Sequence, residues 1–122
     1  MGRLKPELLE RIEDFCHRAI DVADEIADQG RSRRVIEQLY GCSTSIGANA
    51  SEADEALSRK DFCKCLGIAI KELSELRFWL RFVTRREWVA PARVTDLQGE
   101  AQQLKLILGS IISRTKERDS VS

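Results

Sequence analysis

The chain has 122 residues, of which 43% are hydrophobic and 33% charged, and its 20 basic and 20 acidic side chains give a formal net charge of zero. A chain of this length is expected to form one domain with a substantial core, and zero net charge gives no global support to nucleic-acid binding. Since no apolar run is long enough to span a membrane and the first residues lack a signal-peptide core, we expect a cytoplasmic protein without membrane contact, whose four cysteines are reduced.

The first predicted helix covers residues 6–29. Proline is favoured in a first turn and glycine just after a last one, which places the helix ends at Pro6 and Gly30. Between them, apolar residues recur at intervals of three and four, the spacing of one helical face. That face consists of Leu8, Ile12, Phe15, Ala19, Val22 and Ile26.

The second predicted helix, residues 32–57, starts near Ser32 and has the same spacing. Its face consists of Val35, Leu39, Cys42, Ile46, Asn49, Ala53 and Ala56. Asn49 is the polar exception, and a buried asparagine can fix the register of packed helices at some cost in stability. We therefore expect Asn49 to act as a registry residue within the helix packing.

The third and fourth predicted helices cover residues 59–86 and 91–116. Ser58 with Asp61 resembles a capping box, Pro91 opens the last helix, and residues 117–122 are expected to fray. The apolar faces are Phe62, Leu66, Ala69, Leu73, Leu76, Leu80 and Val83, then Leu97, Ala101, Leu104, Leu108, Ile111 and Thr115. Four such faces with short connections predict an all-α fold, an up-down-up-down antiparallel four-helix bundle.

Polar side chains accompany the apolar face of the second helix. Ser45, Asn49 and Glu52 follow one another at i, i+4 and i+7, and pairing about residues 57–58 brings Glu72 and Glu75 of the third helix near them. Buried polar groups are tolerated when they are hydrogen-bonded. Two interpretations stay open: a structural hydrogen-bond network, which we favour and to which an arginine of a neighbouring subunit could contribute, and a ligand site.

Several apolar residues lie away from the core face. The third helix is apolar nearly all round from residue 76 to residue 83, which is typical of a helix buried on every side. Either Trp88 and the following loop fold back over Phe78 and Phe82, or this surface is a subunit interface, which is the interpretation we favour. The predicted interface residues are Gly47, Gly67, Ile68, Phe78, Trp79, Phe82 and Leu106.

Arginines concentrate at the first and third connections, which share one end of the predicted bundle. They are Arg31, Arg33, Arg34, Arg81, Arg85, Arg86 and Arg93. Arginine near a helix C-terminus is already favoured by the helix dipole. In an oligomer, repeated basic ends would nevertheless form a multivalent surface for an anion such as RNA or DNA.

The sequence gives little support for a metal site or for a catalytic nucleophile. Cys63 and Cys65 are two positions apart on a helix and point in nearly opposite directions, and neither Cys16 nor Cys42 has a partner at zinc-ligand spacing. His17, the single histidine, is predicted to face solvent. We therefore expect buried, inert cysteines, no metal site, no cofactor and no catalytic residue.

The second and third helices resemble those of the bacterial four-helix-bundle family of 23S rRNA intervening-sequence proteins, which includes the accessory variability determinant of diversity-generating retroelements. The residues that match the family pattern are Gln38, Leu39, Ser45, Ile46, Asn49, Glu52, Ser58, Asp61, Phe62, Leu66, Ala69 and Glu75. The likeness extends from the first helix to the fourth.

This resemblance implies a homo-oligomer, with a pentameric ring as the family form, and no enzymatic activity. For the retroelement accessory proteins it also implies binding to a reverse transcriptase and to nucleic acid. The function we expect is a non-enzymatic oligomeric interaction protein that binds RNA, DNA or a nucleic-acid-bound protein. The alternative is an oligomer that binds only proteins or a small ligand.

Overall fold

A computed structural model describes residues 2–121 of the chain, with side chains described for residues 2–118. The described part contains four helices and no strand: α1 Pro6–Asp28, α2 Arg33–Asp54, α3 Arg59–Arg85 and α4 Pro91–Val121. The predicted all-α, four-helix composition is therefore confirmed. Each helix packs against the next one in the chain, and α1 also contacts α4.

Two helix ends differ from the prediction. α2 ends at Asp54, three residues before the expected end, and Glu55 caps it by donating its backbone N–H to Glu52 and Ala53. α4 continues to Val121, five residues beyond the predicted end at residue 116; Ser122, the last residue of the predicted frayed segment, lies outside the described residues. The buried Thr115, whose hydroxyl donates to the carbonyl of Ile111 at 2.8 Å, belongs to this longer helix.

The core is formed by the predicted apolar faces. All seven residues of the predicted α3 face are buried, because their spacing keeps them on the side that faces α2 and α4. The prediction for α2 needs two corrections. Ala56 lies beyond the end of α2 and is half-buried. Asn49 is only half-buried, and Ala50 takes its place in the core beside Ile46. Ser43 is fully buried too, and its hydroxyl donates to the Leu39 carbonyl at 2.7 Å.

The N-terminal residues pack onto the loop between α2 and α3. The Arg3 amide donates to the Asp54 carbonyl at 3.1 Å, and the Leu4 amide donates to the Asp54 carboxylate at 2.8 Å. The Leu4 side chain is buried. These bonds satisfy groups at the end of α2 that its own hydrogen bonding leaves unpaired.

The loops that follow α1 and α3 lie together and have the same backbone hydrogen bonds. After α1, Gly30 N–H donates to Ala27 and Arg31 N–H to Ile26; after α3, Glu87 N–H donates to Thr84 and Trp88 N–H to Val83. Both are Schellman motifs, which require a left-handed residue. The residue is Gly30 (φ 70°) in one loop and Glu87 (φ 62°) in the other. The Gln29 side-chain amide joins the loops by donating to the Trp88 carbonyl at 3.0 Å.

Single substitutions at these two left-handed residues should change the unfolding free energy in opposite directions. Gly30→Ala is expected to lower the unfolding free energy by about 1 kcal/mol, because a Cβ is strained at this φ. Glu87→Gly removes such strain and is expected to raise the unfolding free energy by up to about 1 kcal/mol. Urea denaturation followed by circular dichroism measures both, and equal signs for the two variants would contradict the assignment of strain.

A side-chain ion pair joins α1 to α4. Arg11 Nε donates to Glu100 Oε2 at 2.6 Å and Arg11 Nη2 donates to Glu100 Oε1 at 2.7 Å. This two-pronged bond from the guanidinium lowers the pKa of the Glu100 carboxyl. Near the loop end of the same helix pair, Arg93 Nε lies 3.2 Å from Glu25 Oε1.

Candidate functional site

The predicted polar row on α2 divides into separate local contacts. Asn49 Nδ2 donates to the Ser45 carbonyl at 2.9 Å and lies 3.2 Å from Ser45 Oγ. Both bonds lie within one turn of α2, so they satisfy the Asn49 amide without a partner from α3. The registry role predicted for Asn49 therefore has no cross-helix hydrogen bond to support it among the described contacts.

Glu52 of α2 contacts α3 through the thiol of Cys65. Cys65 Sγ donates to Glu52 Oε2 at 3.7 Å, and proximity to this carboxylate adds to desolvation in raising the pKa of Cys65. Glu52 itself is exposed. Glu52 lies three residues beyond Asn49 along α2, towards the α2–α3 loop.

Glu72 and Glu75 gather around a different residue of α2. Their carboxylate oxygens and Cys42 Sγ all lie within 4.8 Å of one another. Cys42 is buried, and desolvation followed by the charge of Glu75 and Glu72 raises its pKa to about 12. The cluster combines a cysteine of one helix with two glutamates of another, so the spacing of cysteines and His17 along the sequence does not reveal it. The available signal was the i, i+3 spacing of Glu72 and Glu75 opposite Cys42, which becomes visible once α2 and α3 are paired.

An aromatic cluster occupies the last turns of α3. Phe78, Trp79 and Phe82 contact one another with ring centroids 5.0–6.3 Å apart, and Trp88 packs edge-on against Phe82 at 5.9 Å. Phe82 is thus covered by the loop, as one of the two sequence interpretations expected, whereas Phe78 stays 47% exposed. Within the described residues, the buried Trp79 Nε1 has no hydrogen-bond acceptor.

Other predicted interface residues lie on two helices. Ile68 and Leu106 are exposed, on α3 and α4 respectively. Ile68 borders a groove beside Leu57, which is 95% exposed and which sequence reasoning missed. Ten residues of helix separate Ile68 from Phe78, about 15 Å along the axis, and the exposed Lys71, Ser74 and Glu75 lie between them, so Ile68 and Phe78 are separate exposed apolar positions.

The two predicted interface glycines have different surroundings. A Cβ at Gly67 would meet no atom within 4 Å, whereas a Cβ at Gly47 would lie 3.4 Å from Cys16 Sγ of α1. The expected outward position of Gly47 is therefore wrong, because α1 packs along that side of α2. Gly47 permits close packing of α1 and α2 within the chain.

The predicted basic residues are exposed at the end of the bundle that carries the two Schellman loops. The guanidinium groups of Arg31 and Arg86 lie 5.5 and 6.0 Å from the centre of the Trp88 ring. Arg93 is engaged with Glu25. The remaining predicted residues at this end, all exposed, are Arg33, Arg34, Arg81 and Arg85.

Cys16 and His17 are neighbours on α1 but differ in burial. His17 is exposed, and Cys16 is buried with its pKa raised to about 11, chiefly by desolvation. A thiolate is the reactive form of cysteine, and burial disfavours it here. Among the described residues, none of the helices combines the length and hydropathy needed to cross a bilayer.

Comparisons with known proteins agree with this architecture. A crystal structure of a protein of unknown function from the S23 ribosomal protein family of Bacteroides thetaiotaomicron is 28% identical in sequence and superposes with a TM-score of 0.82. The match covers 86% of this chain and 97% of that one. A comparison with curated proteins finds no match. The family model described as 23S rRNA-intervening sequence protein matches residues 6–110. Since that match covers most of the chain, the protein belongs to the 23S rRNA-intervening sequence protein family.

Proposed function

We propose that the protein is a non-catalytic module that assembles with copies of itself into a ring-like homo-oligomer in the cytoplasm, with its four helices in up-down-up-down order. The exposed Phe78 is the observation that carries this proposal. Phe78 lies at the edge of the aromatic cluster, in contact with Trp79 and Phe82, and an aromatic side chain that is half in solvent is typical of an interaction surface. A pentamer is the form that family resemblance favours.

A stable interface buries more area than the Phe78 side chain alone provides. Such interfaces bury about 800 Å² on each partner, whereas one aromatic side chain contributes about 150–250 Å² at most. Ile68 on the same helix and Leu106 on α4 are also exposed and enlarge the apolar area.

Self-association is tested by light scattering coupled to size-exclusion chromatography over a range of protein concentrations. The proposal expects one discrete oligomer that persists on dilution. A monomer at every concentration would overturn it. The same experiment at high salt separates apolar assembly, which salt does not weaken, from association through exposed charges.

Gly67→Ala distinguishes folding from assembly. Because a Cβ at Gly67 meets nothing within 4 Å, alanine should raise helix stability by about 1 kcal/mol in the isolated bundle. At a subunit interface the added methyl group should weaken self-association. Thermal unfolding at low concentration and sedimentation equilibrium measure the two effects. Gly99→Ala, which is equally uncrowded, is the control. Unchanged assembly of Gly67→Ala would remove Gly67 from the interface.

RNA is the second candidate partner, on the basis of the basic end. Arg31 and Arg86 converge on Trp88, and Arg33, Arg34, Arg81 and Arg85 are exposed nearby. Guanidinium groups bind phosphates, and an aromatic ring beside them offers a stacking surface for a base. Acidic residues are also present at this end, since Glu87 lies in the loop after α3 and Glu25 pairs with Arg93, so the basic excess of the patch is local in a chain of zero net charge.

Fluorescence anisotropy with labelled single-stranded RNA tests this function. Binding that weakens steeply as salt rises is expected. Arg34→Glu and Arg85→Glu should reduce binding, while Lys64→Glu near the start of α3, at the far end of that helix, should not. If the protein binds no RNA at low salt, RNA binding is rejected. The alternative is then an oligomer that binds proteins or small ligands.

A further inference from the structure

Three potential metal ligands meet across the groove between α2 and α3. The Cys42 thiol comes from α2, and the Glu72 and Glu75 carboxylates come from α3 one turn apart. Their ligand atoms lie within 4.8 Å of one another. Burial decreases outwards, since Cys42 is 2% exposed, Glu72 is half-buried and Glu75 is exposed. The Cys42 thiol is thus the innermost of the three ligands, and the Glu75 carboxylate lies on the solvent side of the cluster.

The negative charge of this cluster has no neutralising partner among the described side chains. No ion pair to Glu72 or Glu75 occurs within that part of the chain. Arg77, the nearest arginine along α3, turns towards α4, where it donates to Gln98 at 3.2 Å and to Gln102 at 2.5 Å. Two neighbouring carboxylates without a cation are mutually repulsive. A bound cation would remove this repulsion.

We propose that Cys42, Glu72 and Glu75 bind a divalent cation of the zinc class, which bridges α2 and α3. Zinc accepts cysteine sulfur and carboxylate oxygen together, at about 2.3 Å and about 2.0–2.2 Å. On binding, the Cys42 thiol releases its proton to water and a Zn–S bond forms. A water molecule fills the fourth tetrahedral position.

The cluster needs only a small contraction to form this site. Ligand atoms around a tetrahedral zinc lie about 3.5 Å apart, given those bond lengths. Glu75 is exposed, so its side chain has room to rotate towards the other two ligands and the cation can enter from the solvent side. Magnesium and calcium require oxygen ligands, so the thiol selects against them.

The test uses the purified full-length chain, zinc titration by calorimetry and cobalt substitution followed by absorption. One zinc per chain and a cobalt spectrum with a sulfur-to-metal charge-transfer band are expected. Glu75→Gln should weaken zinc binding at least tenfold and Cys42→Ser should abolish the charge-transfer band. Cys65→Ser, which removes a thiol that contacts the single carboxylate of Glu52, is the matched control and should bind as the unaltered chain does.

Three outcomes would overturn the proposal: no saturable zinc binding, binding that survives in Glu75→Gln, or loss of binding in the Cys65→Ser control. Circular dichroism of each variant shows that the helices persist, and Glu75→Gln changes an exposed position. If the chain binds no metal and Glu75→Gln alone disrupts self-assembly, the missing cation is a basic side chain of a second copy. The metal titration is independent of the oligomeric state, so its failure does not affect the proposed self-assembly.

Discussion

Phe78→Lys is expected to convert the proposed oligomer into monomers while leaving the helices folded. Phe78 is 47% exposed, so the isolated bundle loses little packing when the ring is removed. In an assembly, lysine would place an unpaired charge in an apolar contact, and truncation or replacement of such a central residue costs about 2 kcal/mol or more per interface. A ring repeats this cost at every contact. Light scattering gives the mass and circular dichroism the helix content.

Phe78→Leu is the conservative control for that experiment. Leucine keeps an apolar side chain at the same position, so we expect the oligomer to persist with reduced affinity. An oligomer of unchanged mass and dissociation constant in Phe78→Lys would show that this surface is not the interface. Loss of helix content in Phe78→Lys would instead mean that the aromatic cluster supports the fold of each subunit.

Phe15→Ala is expected to lower the unfolding free energy by about 3–5 kcal/mol, a large fraction of the stability of a small domain. The Phe15 side chain is completely buried within the α1 face. Its removal forfeits apolar burial and leaves a cavity that the surrounding helices fill only partly. Urea denaturation should show a lower transition midpoint with a similar dependence on urea.

Phe78→Ala provides the matched comparison, because the same atoms are removed from a half-exposed position. Measured at concentrations where the chain is monomeric, this variant should lose less than half as much unfolding free energy as Phe15→Ala. Similar losses for the two variants would contradict the burial that separates them.

The helix faces could be predicted because they depend on local spacing. The α3 face from Phe62 to Val83 is buried residue for residue as its periodicity predicts. Gly30 was predicted to end α1, and its φ of 70° agrees. These features follow from the order of residues within one helix and from backbone sterics, without knowledge of the partners.

Features that depend on the relative position of neighbouring helices were predicted less accurately than the helix faces. The prediction put Asn49 in the core, whereas Asn49 lies at the edge of the core. A shift of one residue in the buried face of α2 decides whether Asn49 or Ala50 is buried. The position of Gly47 depends on the side from which α1 approaches. Glu72 and Glu75 were paired with the Ser45 row, yet they meet Cys42, because pairing a residue across two helices requires their axial offset.

The contacts of the bundle have a kinetic consequence. Most of them join helices that follow one another along the chain, so little loop-closure entropy opposes their formation. Helical domains with such local contacts refold in microseconds to milliseconds. Association of subunits is bimolecular and slower. If the proposed oligomer forms, refolding after dilution from denaturant should therefore separate into a fast phase, independent of protein concentration, and a later phase whose rate rises with protein concentration.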